Sequence, residues 1–136
     1  MKKNLIILIC FVSVILACAG CKAEKISEKK TADIDFTVVS ELELTDPVKQ
    51  IVEEKKTAPF KVAYSDNEYT YIIIGYGKQD YAGYSITVKE LYETSNAICV
   101  KTEFLGPKEY SDSIRQTYPY IVIKIEYTDK NIIFSE

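Results

Sequence analysis

The residue types that carry out most protein chemistry are sparse in this sequence. The chain has four cysteines and no histidine among its 136 residues. Ser-His-Asp catalysis, Cys-His catalysis and His-ligated zinc are therefore excluded. Cys99 lies in a segment that alternates like a strand, and no evident base is present to form its thiolate. We interpret it as a packing residue.

The acidic residues form no paired-carboxylate arrangement for acid–base catalysis, because they are scattered over predicted caps, turns and outward faces. Neither a calcium-loop motif nor a phosphate-binding P-loop is present. Two of the 17 basic residues precede residue 20, so the remaining chain has 15 basic against 20 acidic residues. This negative charge argues against a nucleic-acid partner. The sequence predicts a protein that is not an enzyme and has no metal or cofactor.

The N-terminus has the pattern of a bacterial lipoprotein signal peptide. Two lysines precede an uncharged run at residues 5–17, which is too short to span a bilayer. The sequence LACAGC at residues 16–21 resembles a lipobox, in which the cysteine sulfur receives a diacylglyceryl group. Cys21 has the better small pair before it, and Cys18 is the alternative. We predict a signal peptide at residues 1–20, export, and a lipid anchor at the extracytoplasmic face of the cell membrane. An ordinary secreted protein is the other reading.

Residues 21–35 are charged and lack aromatic side chains, which is typical of a tether. Structure should begin at Phe36. A helix is predicted at residues 46–56, where Pro47 suits the first turn and an apolar stripe must pack on a sheet. From residue 59 onward the apolar period is two, which indicates strands.

The predicted fold is therefore mainly β, α+β at the margin, with one domain at residues 36–136. We expect an antiparallel β-sandwich or open barrel of six to seven strands, immunoglobulin-like being one possibility, with one short N-terminal helix. The run at residues 72–74 should form a strand covered on both faces, and a bulge is expected near residues 89–90. Strands are predicted at residues 36–39, 60–64, 69–76, 84–88, 98–104, 120–127 and 132–134.

Two segments do not fit these strands: the glycine–tyrosine loop, residues 75–85, and the long polar loop, residues 106–119. The first holds three of the four glycines that follow the signal region. Tyrosine supplies a wide amphipathic contact area, and long loops are often binding loops. A plain long hairpin is the alternative for the first loop. The residues predicted to contact a partner are Tyr76, Gly77, Tyr81, Gly83, Tyr84, Ser85, Pro107, Tyr118 and Pro119.

These loops resemble the PrcB family, that is, the C-terminal domain of protease complex subunits. The resemblance rests on GYG at residues 75–77, GYSI at 83–86, GP at 106–107 and TYPYIV at 117–122, and extends over most of residues 36–136. It implies a small exported or lipoprotein domain that binds and stabilises a secreted or surface protease, or another envelope protein, without being catalytic itself.

The chain departs from the family pattern at one place. The family more often reads PTGGY where this chain has DYAGY at residues 80–84, which bears on the backbone shape of the loop. Two alternatives stand beside the subunit reading. Small β-sandwich inhibitors of cysteine proteases, of the chagasin type, also present a Gly-Tyr turn beside a second loop. A small-ligand or glycan-binding lipoprotein is the other alternative, based on the abundance of tyrosine.

Overall fold

The computed structural model describes residues 26–27 and 29–136. The predicted signal peptide and both candidate lipidation sites, Cys21 and Cys18, lie outside the described residues. No helix within the described part of the chain is long and apolar enough to cross a membrane.

The described residues form eight strands, one α-helix and one 3-10 turn. The elements are, in chain order, β1 (Ala32–Asp33), β2 (Thr37–Val38), the 3-10 turn (Glu41–Glu43), α1 (Asp46–Lys55), β3 (Pro59–Ser65), β4 (Tyr69–Tyr76), β5 (Ser85–Glu93), β6 (Ala97–Leu105), β7 (Tyr120–Glu126) and β8 (Asn131–Ser135). The first sheet has the strand order β1-β5-β6-β8 and the second the order β2-β7-β4-β3. All pairs are antiparallel except β6–β8, which is parallel.

The predicted mainly β sandwich with one short helix is confirmed, and the two sheets do not close into a barrel. The helix begins at the predicted residue, and β5 contains the predicted bulge between Val88 and Glu90. The described residues contain one strand more than the sequence predicts, and the additional strand is β1. The immunoglobulin-like possibility is wrong, because β1 and β2 lie in different sheets, whereas the first two strands of an immunoglobulin domain share one.

Strand β4 has apolar neighbours on both faces, as its uninterrupted isoleucine run predicts. Ile72 and Ile74 point into the core between the two sheets, where they meet Ile123 of β7. Ile73 points the other way and packs with Val48 of α1. The second sheet is therefore covered by the first sheet on one face and by the helix on the other. The alternation along β4 sends successive side chains to these two clusters.

Ordered structure begins earlier than Phe36. Strand β1 lies inside the segment predicted as a tether, and the Thr31 N–H donates to the Glu93 carbonyl oxygen at 2.7 Å. The Ser27 N–H donates to Asn96 Oδ1 at 2.9 Å. A charged segment can pair in this way because the edge of β5 offers backbone groups, and backbone pairing needs no apolar side chain.

The turn between β3 and β4 is held by a carboxylate, and this leads to a pH prediction. Asp66 Oδ1 accepts hydrogen bonds from the N–H of Tyr69 at 2.7 Å and from the N–H of Glu68 at 2.8 Å. These two bonds, the one from Tyr69 first, hold the pKa of the Asp66 carboxyl below its ordinary value.

A carboxyl with a lowered pKa in the folded state stabilises the fold when ionised, and this contribution is lost as the pH falls through the folded-state pKa. We expect thermal stability to decline below about pH 4, with a smaller decline in an Asp66→Asn variant. Melting curves from pH 7 to pH 2.5 measure this. Parallel curves for the two proteins would contradict the assignment.

Candidate partner-binding site

The two loops that the sequence analysis singled out lie side by side. The ladder between β4 and β7 continues past both strands, because the Tyr76 N–H donates to the Pro119 carbonyl oxygen at 2.9 Å. Gln79 and Thr117 then exchange two backbone hydrogen bonds, of 2.8 and 2.9 Å. The Thr117 hydroxyl also donates to the Tyr81 carbonyl oxygen at 2.7 Å. The glycine–tyrosine loop and the long polar loop therefore form one connected surface.

Pro119 fits this ladder because a side chain replaces its missing donor. A residue opposite Tyr76 would normally donate its N–H to the Tyr76 carbonyl oxygen, and proline has no N–H. Gln79 Nε2 donates to that oxygen instead, at 3.1 Å. The ladder can thus accept a proline without leaving the Tyr76 carbonyl unpaired.

The glycines of the first loop shape its backbone. Gly77 has φ of +74° and Gly83 has φ of +93°, in the region where side-chain-bearing residues are strained. A Cβ atom on Gly83 would also lie 2.9 Å from the Cβ atom of Pro107. The two loops therefore approach each other closely at Gly83 and Pro107, and a larger residue at position 83 would push them apart.

An aromatic stack supports the loops from below. The Phe104 ring of β6 lies between two tyrosine rings, with its centroid 4.2 Å from that of Tyr76 and 4.9 Å from that of Tyr84. Both pairs are parallel to within 9°. The Tyr76 hydroxyl lies 2.7 Å from the Thr102 hydroxyl, which ties the second sheet to the first. The sequence predicts a strand at residues 98–104, which includes Phe104, but it does not reveal this stack, because the alternation of a strand does not show which rings its side chains meet.

A second aromatic contact joins the two loops at the surface. The rings of Tyr81 and Tyr110 meet edge to face, with centroids 5.2 Å apart. Burial raises the pKa of the Tyr84 phenol, and the neighbouring Tyr110 hydroxyl adds to this effect. Tyr110 was also missed from the sequence, where it is one polar-loop residue among many. The signal that could have identified Tyr110 as a contact residue is its aromatic ring.

A groove of about 390 Å³ lies beside the loops. Tyr84 and Ile86 form one wall, residues 118–122 form another, and residues 38–41 border it. Three predicted contact residues, Tyr84, Tyr118 and Pro119, meet in this groove. The other predicted contact residues lie outside the groove. Tyr76 lies in the aromatic stack, Tyr81 contacts Tyr110, and Ser85 is exposed at the start of β5. The remaining three shape the backbone of the loops: Gly77, Gly83 and Pro107.

The comparison with known families identifies this region. Residues 70–126, which include β4 to β7 and both loops, match the family model of the PrcB C-terminal domain. Residues 70–126 thus form a segment similar to the PrcB C-terminal domain. The predicted resemblance is confirmed there. The first strands, the helix and β3 lie outside the match.

The chain is also similar to a protein of Methanocaldococcus jannaschii that is named only as uncharacterized. It is 34% identical over 74 residues, which is 54% of the present chain and 44% of that protein. The present chain thus spans less than half the length of that relative. No solved structure matches the chain.

Charged side chains flank the two loops on the helix side. Lys56 Nζ lies 2.9 Å from Glu53 Oε2 and 5.3 Å from the centroid of the Tyr118 ring. The hydrogen bond to Glu53 raises the pKa of the Lys56 ammonium group. Burial raises the pKa of the Tyr120 phenol, with further contributions from Glu41 and Glu53. The Tyr120 phenol and the Lys56 ammonium group therefore keep their protons at neutral pH.

A larger groove, of about 730 Å³, lies between β3 and the first sheet and meets the aromatic stack at Tyr76 and Phe104. Its charged residues are of mixed sign, since Lys61, Lys89 and Lys101 face Glu90 and Glu103 there. Lys89 is already paired with Glu103 at 2.6 Å. This arrangement indicates no preference for a ligand of either charge.

The two loops lie at one end of the sandwich, and the first described residues lie at the other. Strand β5 starts at Ser85, beside the loops, and ends at Glu93, which binds Thr31. Nine extended residues separate these points by roughly 26 Å. The candidate site is therefore turned away from the start of the domain.

Proposed function

We propose that this chain is a non-catalytic, lipid-anchored binding module on the extracytoplasmic face of the cell. The glycine–tyrosine loop and the long polar loop together hold a secreted or surface protease, or another envelope protein. The match of residues 70–126 to the PrcB C-terminal family model supports the subunit-like role. The absence of histidine supports a role without Ser-His or Cys-His chemistry.

The observation that carries the proposal is the position of the joined loops. The segment that would reach a lipidated Cys21 leaves the domain beside Asn96, where Ser27 is bound. The loops lie roughly 26 Å away along β5. A domain tethered in this way presents its loops away from the membrane, where a large partner can reach them. Two acyl chains would make such an anchor stable.

Inhibition of a protease is the second candidate function. The observation that favours it is that a Gly-Tyr turn and a second loop are exposed at the same end, joined by backbone hydrogen bonds. Loops held in this way could enter an active-site cleft with little loss of conformational entropy. The two functions differ in sign, because a stabilising subunit preserves protease activity and an inhibitor abolishes it.

The decisive experiment is affinity capture of the C-terminally tagged full chain from detergent-solubilised membranes. We expect a stoichiometric protease or envelope protein, and its lifetime should shorten when this protein is deleted. A captured protease that becomes more active on deletion would favour inhibition. Abundant, lipidated protein with no partner would contradict both functions.

Tyr81→Ala should weaken this capture at least about tenfold, as expected for a central interface tyrosine. The melting temperature should stay within about 2 °C, because Tyr81 packs on the exposed Tyr110 and lies outside both core clusters. Tyr127→Ala is the matched control, since Tyr127 is 55% exposed and follows β7 at the opposite end. Equal loss of capture in both variants would contradict a site at the loops.

A further inference from the structure

Residues 117–119 extend β7 at its N-terminal end. They pair with the end of β4 and with the residues that follow it. Thr117 bonds to Gln79 through both its N–H and its carbonyl oxygen, and the Pro119 carbonyl oxygen accepts from Tyr76. Backbone groups alternate in direction along an extended strand. The N–H and carbonyl groups of Tyr118 and Tyr120 therefore point to the opposite edge of the strand.

Strand β2 covers only part of this edge. It pairs Thr37 with Lys124 and Val38 with Ile123, and the Val39 N–H donates to the Val122 carbonyl oxygen at 2.9 Å. The chain then turns away through the 3-10 turn. Among residues 26–27 and 29–136, no backbone group pairs with the N–H or carbonyl oxygen of Tyr118 or Tyr120.

The uncovered edge lines the 390 Å³ groove. Apolar and aromatic side chains surround it, including Tyr84, Ile86 and Ile121, and Glu41 is the only charged residue in its lining. An open edge with unpaired backbone groups and an apolar wall is the arrangement that accepts an added strand. Pro119 does not interrupt it, because the N–H that proline lacks would face β4.

We propose that this groove binds an extended, uncharged segment of the partner protein as an added strand beside residues 118–120. Backbone hydrogen bonds to Tyr118 and Tyr120 would supply the affinity. Apolar residues at alternate positions would pack on Tyr84 and Ile86. That the added strand belongs to a partner protein rests on the proposed function. That the edge can accept an added strand rests only on its own backbone and side-chain chemistry.

The structure argues against two other occupants. The N-terminal segment of this chain is held at Asn96, at the far end of the sandwich. A second copy would have to bring its own edge to within about 4.8 Å. Each copy's edge lies within a groove bordered by residues 38–41, which keeps two such edges apart.

The test uses a defined probe: an uncharged seven-residue peptide of alternating threonine and valine, acetylated and amidated. It is titrated into the full chain in detergent, and amide hydrogen exchange is followed. We expect slower exchange at Tyr118 and Tyr120. N-methylation of one alternate set of peptide amides should weaken binding at least about tenfold, because those amides face the edge. Methylation of the other set should change it less than about twofold.

A variant pair tests the same edge from the side of the protein. Tyr118→Pro removes an outward N–H and the ring, whereas Tyr118→Thr removes only the ring. We expect binding of the peptide to be at least about tenfold weaker in Tyr118→Pro than in Tyr118→Thr. The methylated peptides leave the protein unchanged, so they decide the question even if Tyr118→Pro does not fold.

The proposal would be overturned if the peptide does not bind at 1 mM, which is on the order of the weakest specific affinities. It would also be overturned if both sets of methylated amides weaken binding equally, or if the peptide slows amide exchange elsewhere in the chain instead. Dimerisation that consumes the same amides would assign the edge to a second copy and also overturn it. Capture of a membrane partner without peptide binding would remove this inference and leave the proposed function. Peptide binding as expected, with no partner captured, would support the edge and contradict the proposed function.

Discussion

Replacing Ile123 by alanine is expected to lower the free energy of unfolding by about 2–5 kcal/mol. Ile123 is 0% exposed and lies in the core between the two sheets, paired with Ile72 across the β4–β7 ladder. The loss has two parts, the apolar surface no longer buried and the cavity left behind. Both are large here, because hydrogen-bonded sheets on either side of the cavity cannot collapse into it. Urea denaturation measures the change.

Ile114→Ala provides the matched control. Ile114 lies in the long polar loop and is 70% exposed, so the same truncation should change the free energy of unfolding by less than about 0.5 kcal/mol. A similar loss in both variants would show that the core is not where the structure places it. A large loss at Ile114 alone would mean that the long polar loop is covered in solution.

Phe104→Ala is expected to have the second largest effect, about 2–4 kcal/mol, and to act on binding as well as stability. Each of its two ring stacks contributes about 0.5–1.5 kcal/mol, and the loss of buried apolar surface adds to this. Without Phe104, the Tyr84 ring loses its stacking contact with β6, at a centroid spacing of 4.9 Å. Since Tyr84 lines the groove, capture of the partner should fall together with stability.

Phe36→Ala is the control for this prediction, because Phe36 is 43% exposed and immediately precedes β2, far from the loops. It should lower stability less and leave capture of the partner unchanged. A double-mutant cycle of Phe104→Ala with Tyr84→Ala should give a coupling of about 0.5–1.5 kcal/mol. Additive effects would contradict the stack.

The sequence treats Ile123 and Phe104 alike. Each lies in a predicted strand, residues 120–127 and 98–104, with apolar residues at alternate positions. The alternation cannot tell that Ile123 lies in the middle of the core while Phe104 lies at its end beneath two loop tyrosines. That difference comes from which strands are neighbours, and sequence separation conceals it, since Tyr76 and Thr102 stand 26 positions apart.

Much of the fold was determined by the sequence itself. The helix, the main strands, the bulge in β5 and the coverage of β4 on both faces follow from local patterns. A period of two or 3.6 residues and a proline at the first helical turn act within a few residues. The same locality made the glycine–tyrosine loop and the long polar loop visible, because they break the pattern.

Only the tertiary structure decided which elements meet. The parallel pairing of β6 with β8, the early strand β1, the contact between the two loops and the uncovered edge at Tyr118 and Tyr120 all depend on backbone groups far apart in the chain. Every residue but proline carries the same backbone donor and acceptor, so the identity of a side chain does not say which backbone it will pair with. The sequence thus determines which face of each strand is apolar, and the packing of the whole domain determines which strands are neighbours.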